Sequence, residues 1–154
     1  MNYQKELNER ISEERAAIEL IKITSDLSFE KSIELIIFRN QLVDKRSSEI
    51  LNLHEYAKNF VHKPISIFET LAIAKGISVA NLAPSKIDIG KLAYEWISEK
   101  DQNTDINTFI ADKLNFMNDE STHFTPRDVV LYGFGRIGRL LARELMAQEG
   151  KGEQ

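Results

Sequence analysis

The first 115 residues carry apolar positions three and four apart and few turn formers, a pattern that predicts helices. Leu7, Ile11, Ile18 and Ile21 fall on one face of a first helix, with Glu13, Glu14 and Arg15 largely on its wet side. A second helix is expected from about Phe29 to Asp44. Its Ile33, Leu35, Ile36, Ile37, Phe38, Leu42 and Val43 form an apolar surface wide enough for packing on more than one side. A third aligns Ile50, Leu53, Ala57, Phe60 and Val61 and ends at Pro64. Ser66 and Glu69 make an S-x-x-E capping box, in which each side chain satisfies a backbone N–H of the first turn. The helix it opens bears Ile67, Leu71 and Ala74, with a stop expected at Gly76. After Pro84, Asp88 can cap a helix with Ile89, Leu92, Ala93, Trp96 and Ile97 inside. A last helix, from about Asp105 to Asn115, offers Ile106, Phe109, Ile110 and Leu114.

Beyond it the pattern changes. Asn118, Asp119, Ser121, Thr122 and Pro126 mark a connector over 116–127. Val129, Val130, Leu131 and Tyr132 form a continuous, mostly β-favouring run, as in a strand buried on both faces. The run enters Gly133-Phe134-Gly135-Arg136-Ile137-Gly138, and a helix follows with Ile137, Leu140, Leu141 and Leu145 on one side.

G-x-G-x-x-G alone is a weak pattern; between a strand and a helix it acquires physical meaning. Gly133 would allow the tight turn, Gly135 the close approach of a pyrophosphate, and Gly138 the close packing of helix on strand. Free N–H groups of the first turn and the helix dipole would favour the bound anion. The expected fold class is mainly α: five or six helices followed by the truncated first β–α unit of a Rossmann domain. The expected organisation is a helical domain over 1–115, the connector, a strand–loop–helix unit over 128–149 and a polar tail over 150–154.

Composition narrows the function classes. The chain has 154 residues, 42% hydrophobic and 29% charged, with a net charge of −4. That balance argues against a broad phosphate-binding surface, so no nucleic-acid partner is expected. It has no cysteine, which excludes disulfides, thiolate metal sites and a thiol nucleophile. No apolar run approaches the roughly 20 residues needed to span a bilayer, and the N-terminus lacks a signal-type apolar region. No membrane partner and a cytoplasmic location are the expectation.

The string Val130-Leu131-Tyr132-Gly133-Phe134-Gly135-Arg136-Ile137-Gly138-Arg139 resembles the start of glyceraldehyde-3-phosphate dehydrogenases, which read N-G-F-G-R-I-G-R after their first strand. The resemblance covers Asp128 to Met146. It departs at Tyr132, where that family usually has Asn, so no contact of that side chain carries over. The resemblance implies that Gly133, Gly135 and Gly138 shape the loop and that the backbone of Arg136 and Ile137 meets the pyrophosphate of NAD or NADP. The helical part also resembles the N-terminal extension of a longer subgroup of these enzymes. The loop is similar, too, to those of 2-hydroxyacid and erythrose-4-phosphate dehydrogenases. Another reading is a stand-alone helical interaction or regulatory module whose glycine segment is structural.

In the glyceraldehyde-3-phosphate dehydrogenase family a cysteine attacks the aldehyde and a histidine takes its proton. The nucleophile is absent here, so no catalytic residue is assigned. The acidic ribose-binding residue, about 20 residues beyond such a loop, would fall past Gln154. The expectation is the N-terminal piece of a longer NAD(P)-dependent enzyme, inactive by itself and binding no dinucleotide measurably. Its C-terminal helix is expected to dock on the helical domain through Leu140, Leu141 and Leu145; self-association through an exposed strand, or docking to the rest of the parent enzyme, are the other partners considered.

The remaining polar residues receive ordinary readings. His54 and His62, eight apart, are too distant to share one ion without outside ligands, and solvent-exposed histidines are expected. His123 reads as polar loop. Glu13 with Glu14, and Asp119 with Glu120, read as solvated faces, because adjacent helical residues point apart. Arg39, Lys45 and Arg46 read as wet helix surface, and Trp96 as core rather than a ligand pocket with Tyr94.

Overall fold

A computed structural model describes residues 3–57, 64–99, 105–115 and 129–148. The fold is mainly α, with six helices and a three-stranded sheet among those residues. Helix α1 (Tyr3–Lys31) runs 29 residues and buries Ala16, Ala17, Leu20, Thr24, Leu27 and Ser28. That is not the face expected. Leu7, Ile11 and Ile18 are 39%, 42% and 59% exposed, while Ile21 is only partly buried. The small side chains of Ala16 and Ala17 let α2 (Ser47–Ala57) and α3 (Ile67–Val79) come close, and a helix with two apolar stripes can bury either one.

The largest correction concerns Phe29–Asp44. No helix forms over this stretch as a whole: α1 continues through Phe29 to Lys31, and Ser32, at φ 52°, redirects the chain. Strand β1 (Ile33–Ile37) follows, and a turn through Phe38 (φ 44°) and Arg39 (φ 73°) leads to β2 (Asn40–Gln41). The two pair antiparallel, Ile36 with Gln41 and Ile37 with Asn40. The positive φ at both central residues is the geometry that matches strand twist in a two-residue hairpin. A continuous apolar run lacks a period, so it fits a buried strand as well as a buried helix, and the β-branched Ile33, Ile36 and Ile37 favour the strand. Arg39 is therefore at a hairpin tip rather than on a helix.

Strand β3 (Ser85–Asp88), also unforeseen, pairs parallel to β1 in the order β2-β1-β3, with Ile33 opposite Ser85 and Leu35 opposite Ile87. Asp88 then caps α4 (Ile89–Glu99): its Oδ1 accepts from Lys91 N at 3.0 Å and from Phe38 N at 3.2 Å, fixing helix and hairpin together. The capping box at α3 is formed, with the Ser66 N–H donating to Glu69 Oε2 at 2.7 Å and the two side chains in contact. Gly76 does not stop α3, which continues to Val79. A Cβ there would lie 2.2 Å from Ile110 Cδ1, so this glycine lets α5 (Ile106–Leu114) cross closely. Asp105 caps α5, accepting from Asn107 N at 3.1 Å. At the far end of α3, Lys31 Nζ donates to Ser78 O at 2.7 Å and Ala80 O at 3.2 Å, tying α1 to its terminal carbonyls.

These elements close over one continuous core that includes Leu20, Ile33, Leu35, Ile37, Ile50, Ile73, Ile77 and Ile89, each at most 2% exposed. Removing each such side chain from water contributes roughly 1.5–3 kcal/mol before entropy costs. Trp96 belongs to this core, as expected, with its ring centroid 5.1 Å from that of Phe109. Lys113 stands 5.4 Å over the Phe109 ring and pairs with Glu95 and Glu99 at 3.0 and 2.8 Å, joining α5 to α4. Those two carboxylates, Glu99 first, raise its pKa above the usual lysine value.

Helix α6 (Arg136–Gln148) forms as anticipated, but it does not dock on the other described residues. Leu140, Leu141 and Leu145 are 63%, 50% and 42% exposed. Nor do residues 129–132 form a strand, since a β ladder requires a neighbour to satisfy its N–H and C=O groups and none pairs here among the described residues. No helix among the described residues is long and apolar enough to cross a membrane. The connector over 116–127, the tail over 150–154, and Phe60, Val61, His62 and His123 lie outside the described residues.

Candidate functional site: the glycine loop

The loop between residues 132 and 136 is built by its glycines, each for a different reason. Gly133 has φ +95°, a backbone conformation that side chains with a Cβ rarely adopt. Gly138 is constrained by space. A Cβ on it would meet the Gly133 carbonyl oxygen at 2.2 Å, so the start of α6 is pressed against the turn. Gly135 is different again: a Cβ there would meet no atom within 4 Å. Among the described residues no packing requires glycine at 135, and the space beside it is open.

The Gly135 carbonyl accepts from Arg139 N at 3.0 Å, which makes Gly135 the residue preceding the first full turn. In an α-helix the leading N–H groups have no carbonyl four residues back, so those of Arg136, Ile137 and Gly138 have no intrahelical acceptor. They sit at the positive end of the helix dipole, where an anion is favoured. Val130, Tyr132, Gly133, Gly135, Ile137 and Leu141 line a concave surface at this turn. Ile137 itself is 73% exposed. Gly133, Gly135, Arg136, Ile137 and Gly138, the residues assigned to cofactor binding from the sequence, lie on this turn and the first turn of α6. Their donor set, backbone N–H groups with a gap at Gly135, fits a pyrophosphate. It contains no nucleophile, no histidine and no carboxylate.

Among the described residues no three His, Asp or Glu side chains gather to hold a metal ion. His54 is not solvent-exposed as expected; it is buried at 5% exposure on α2. Its Nδ1 lies 2.7 Å from Ile50 O and its Nε2 2.7 Å from Thr70 Oγ1. The signal was in the spacing, because His54 falls between Ile50 and Ala57 on the stripe that α2 buries. Burial holds its pKa below the ordinary value, opposed by the bond to Ile50 and the charge of Glu69. Its two ring nitrogens are engaged within the protein, so it is a structural bridge. Glu13 and Glu14 pair with Arg10 at 3.7 and 3.8 Å on the partly exposed side of α1.

No protein-family model matches the chain. It is similar to a "Glyceraldehyde-3-phosphate dehydrogenase-like protein" of Pseudomonas aeruginosa (strain UCBPP-PA14), at 30% identity over 140 residues. That match covers 87% of this chain and 30% of the relative, so the chain spans less than a third of the protein it matches. A match of that extent cannot be confined to the glycine segment; it takes in most of the helical part as well. The chain has a distant, partial relationship to a glyceraldehyde-3-phosphate dehydrogenase-like protein.

Proposed function

We propose that these residues form the N-terminal part of a longer, glyceraldehyde-3-phosphate dehydrogenase-like NAD(P)-dependent oxidoreductase. The helical part is its N-terminal extension, and residues 128–149 open its dinucleotide-binding domain. The observation that carries this reading is the span of the likeness: 87% of the chain aligns, while only 30% of the relative is used. A glycine loop retained for packing alone would leave the likeness of the helical part unexplained.

In the bound state, the backbone N–H groups of Arg136 and Ile137 would hold the pyrophosphate, and Gly135 would leave room for it. The cofactor supplies the hydride-accepting ring. The chain's own part is to bind and orient one end of that cofactor. The cysteine that such chemistry uses is not in these 154 residues, so the chain alone is inactive. Without paired neighbours for residues 129–132, the loop lacks the sheet that would hold it rigid, and dinucleotide affinity of the isolated chain falls below detection.

Two measurements test this. The coding sequence beyond Gln154 should continue into further βα units and a cysteine nucleophile; continuation into an unrelated domain would refute the reading. Calorimetric titration of the isolated chain with NAD and with NADP should give no saturable heat, whereas the full-length protein should bind one of them. A full-length protein that binds neither would leave the glycine loop without its proposed role.

A further inference from the structure

Helix α1 has a second apolar stripe that the described residues leave uncovered. Leu7, Ile11, Ile18 and Phe29 lie within a narrow arc of the helix, at spacings of four, seven and eleven residues. They are 39%, 42%, 59% and 70% exposed, and the stripe faces away from the side that buries Ala16, Leu20, Thr24 and Leu27. Before Ala16 no residue of α1 is buried; between Tyr3 and Arg15, Glu13 and Glu14 are partly covered, with Glu14 Oε2 accepting from Ser47 Oγ of α2 at 3.3 Å. A helix of about 12–15 residues is marginal in water on its own. Within this stretch the ion pairs Lys5–Glu9, Arg10–Glu13 and Arg10–Glu14, at 3.7–3.8 Å, join solvent-exposed side chains and contribute little.

We infer that α1 is a self-association helix, its outer stripe packing antiparallel against the same stripe of a second copy of this chain. Area and charge both point to a second copy. With Tyr3, 74% exposed, Leu7, Ile11 and Ile18 offer roughly 400 Å² of exposed surface per chain, about half of the ~800 Å² per partner of a stable interface, the remainder falling to the polar flanks. A foreign partner of one charge would call for a stripe bordered by the other. Here Arg10 and Glu14 border the same edge, four residues apart, a pattern complementary to itself when reversed. An antiparallel register that sets Leu7 of one copy opposite Ile18 of the other also brings each Arg10 beside the opposing Glu14. The inference is independent of the dehydrogenase reading, because it uses neither the glycine loop nor α6.

Sedimentation velocity on the full 154-residue chain at up to about 100 µM should give a species of twice the chain mass. The double variant Ile11→Asp/Ile18→Asp should sediment as a monomer with an unchanged far-UV circular dichroism spectrum, since neither side chain is in the core. The double variant Leu140→Asp/Leu141→Asp, on the exposed face of α6, should remain dimeric. Because the chain has no cysteine, register can be read by oxidation: Leu7→Cys with Ile18→Cys should cross-link two chains, and Ile18→Cys alone should not. A monomer throughout the concentration range would overturn the inference. So would a dimer that survives the α1 variant and is lost in the α6 variant.

Discussion

The imidazole of His54 and the hydroxyl of Thr70, 2.7 Å apart, join α2 to α3 inside the core. Ile50 O can only accept, so His54 Nδ1 carries a proton and donates to it. In the neutral ring Nε2 accepts from the Thr70 hydroxyl. On protonation Nε2 becomes a donor, and the Thr70 hydroxyl can turn its proton to Ile67 O, 3.1 Å away. The hydrogen bonds survive in either state; what burial opposes is the charge itself.

From this follows the pH dependence of stability. The His54 pKa is lowered in the folded state by burial, so the unfolded chain binds the proton more tightly. Stability from this residue is complete above the ordinary histidine pKa of about 6.5 and is lost as pH falls through that value toward the lower folded one. Urea unfolding at pH of about 7.5 and 5.5 should show a fall in stability that is smaller in His54→Gln. Equal pH slopes for the two proteins would contradict this account.

Gly76 should tolerate little. Alanine places a methyl 2.2 Å from the tip of Ile110, a side chain able to shift, so Gly76→Ala should cost on the order of 1 kcal/mol after its gain in helix propensity. Gly76→Val adds branches against the same helix and should cost roughly 3 kcal/mol or more. Thermal melting of the two variants, ranked alanine above valine, checks the close crossing of α3 and α5.

How much of this was legible in the sequence depends on whether a residue's partner is near in the chain. The capping box at Ser66, the cap Asp88 and the core position of Trp96 rest on spacings within one or two turns, and each is formed. Glycine-loop geometry was equally local. Ile33–Ile37 was misread because its period carries no information: only pairing with Ser85–Asp88, some fifty residues on, makes it a strand. Gly76 was read as a stop because its partner, Ile110, belongs to another helix. The docking of α6 and the burial of α1's outer stripe were expected because an apolar face demands cover; periodicity identifies such a face without saying what covers it.

Glu34 offers a test of the unforeseen sheet. Its side chain is 3% exposed on β1, and Lys86 Nζ, its register partner on β3, lies 3.0 Å from Oε2. The carboxylate oxygens take no hydrogen bond of good geometry among the described residues, so the ammonium is what balances the buried charge there. Removing one member of such a pair leaves an uncompensated ion, and Lys86→Met should destabilise by roughly 2–4 kcal/mol. Glu34→Gln in the Lys86→Met background should recover part of that loss. No loss in Lys86→Met would mean that the β1–β3 register is different.

The glycine loop separates packing from binding at two neighbouring positions. Gly138→Ala pushes a methyl into the Gly133 carbonyl, a backbone atom that cannot move without opening the turn. Amide resonances of residues 133–139 in the isolated chain should therefore shift strongly. Gly135→Ala meets nothing, so the same resonances should change only beside the substitution. In the full-length protein the order reverses its meaning: Gly135→Ala should leave the melting temperature near that of the parent yet weaken dinucleotide binding by about tenfold or more, a loss of ~1.4 kcal/mol. A Gly135→Ala protein that binds as tightly as its parent would show that the space beside this residue is not where the pyrophosphate lies.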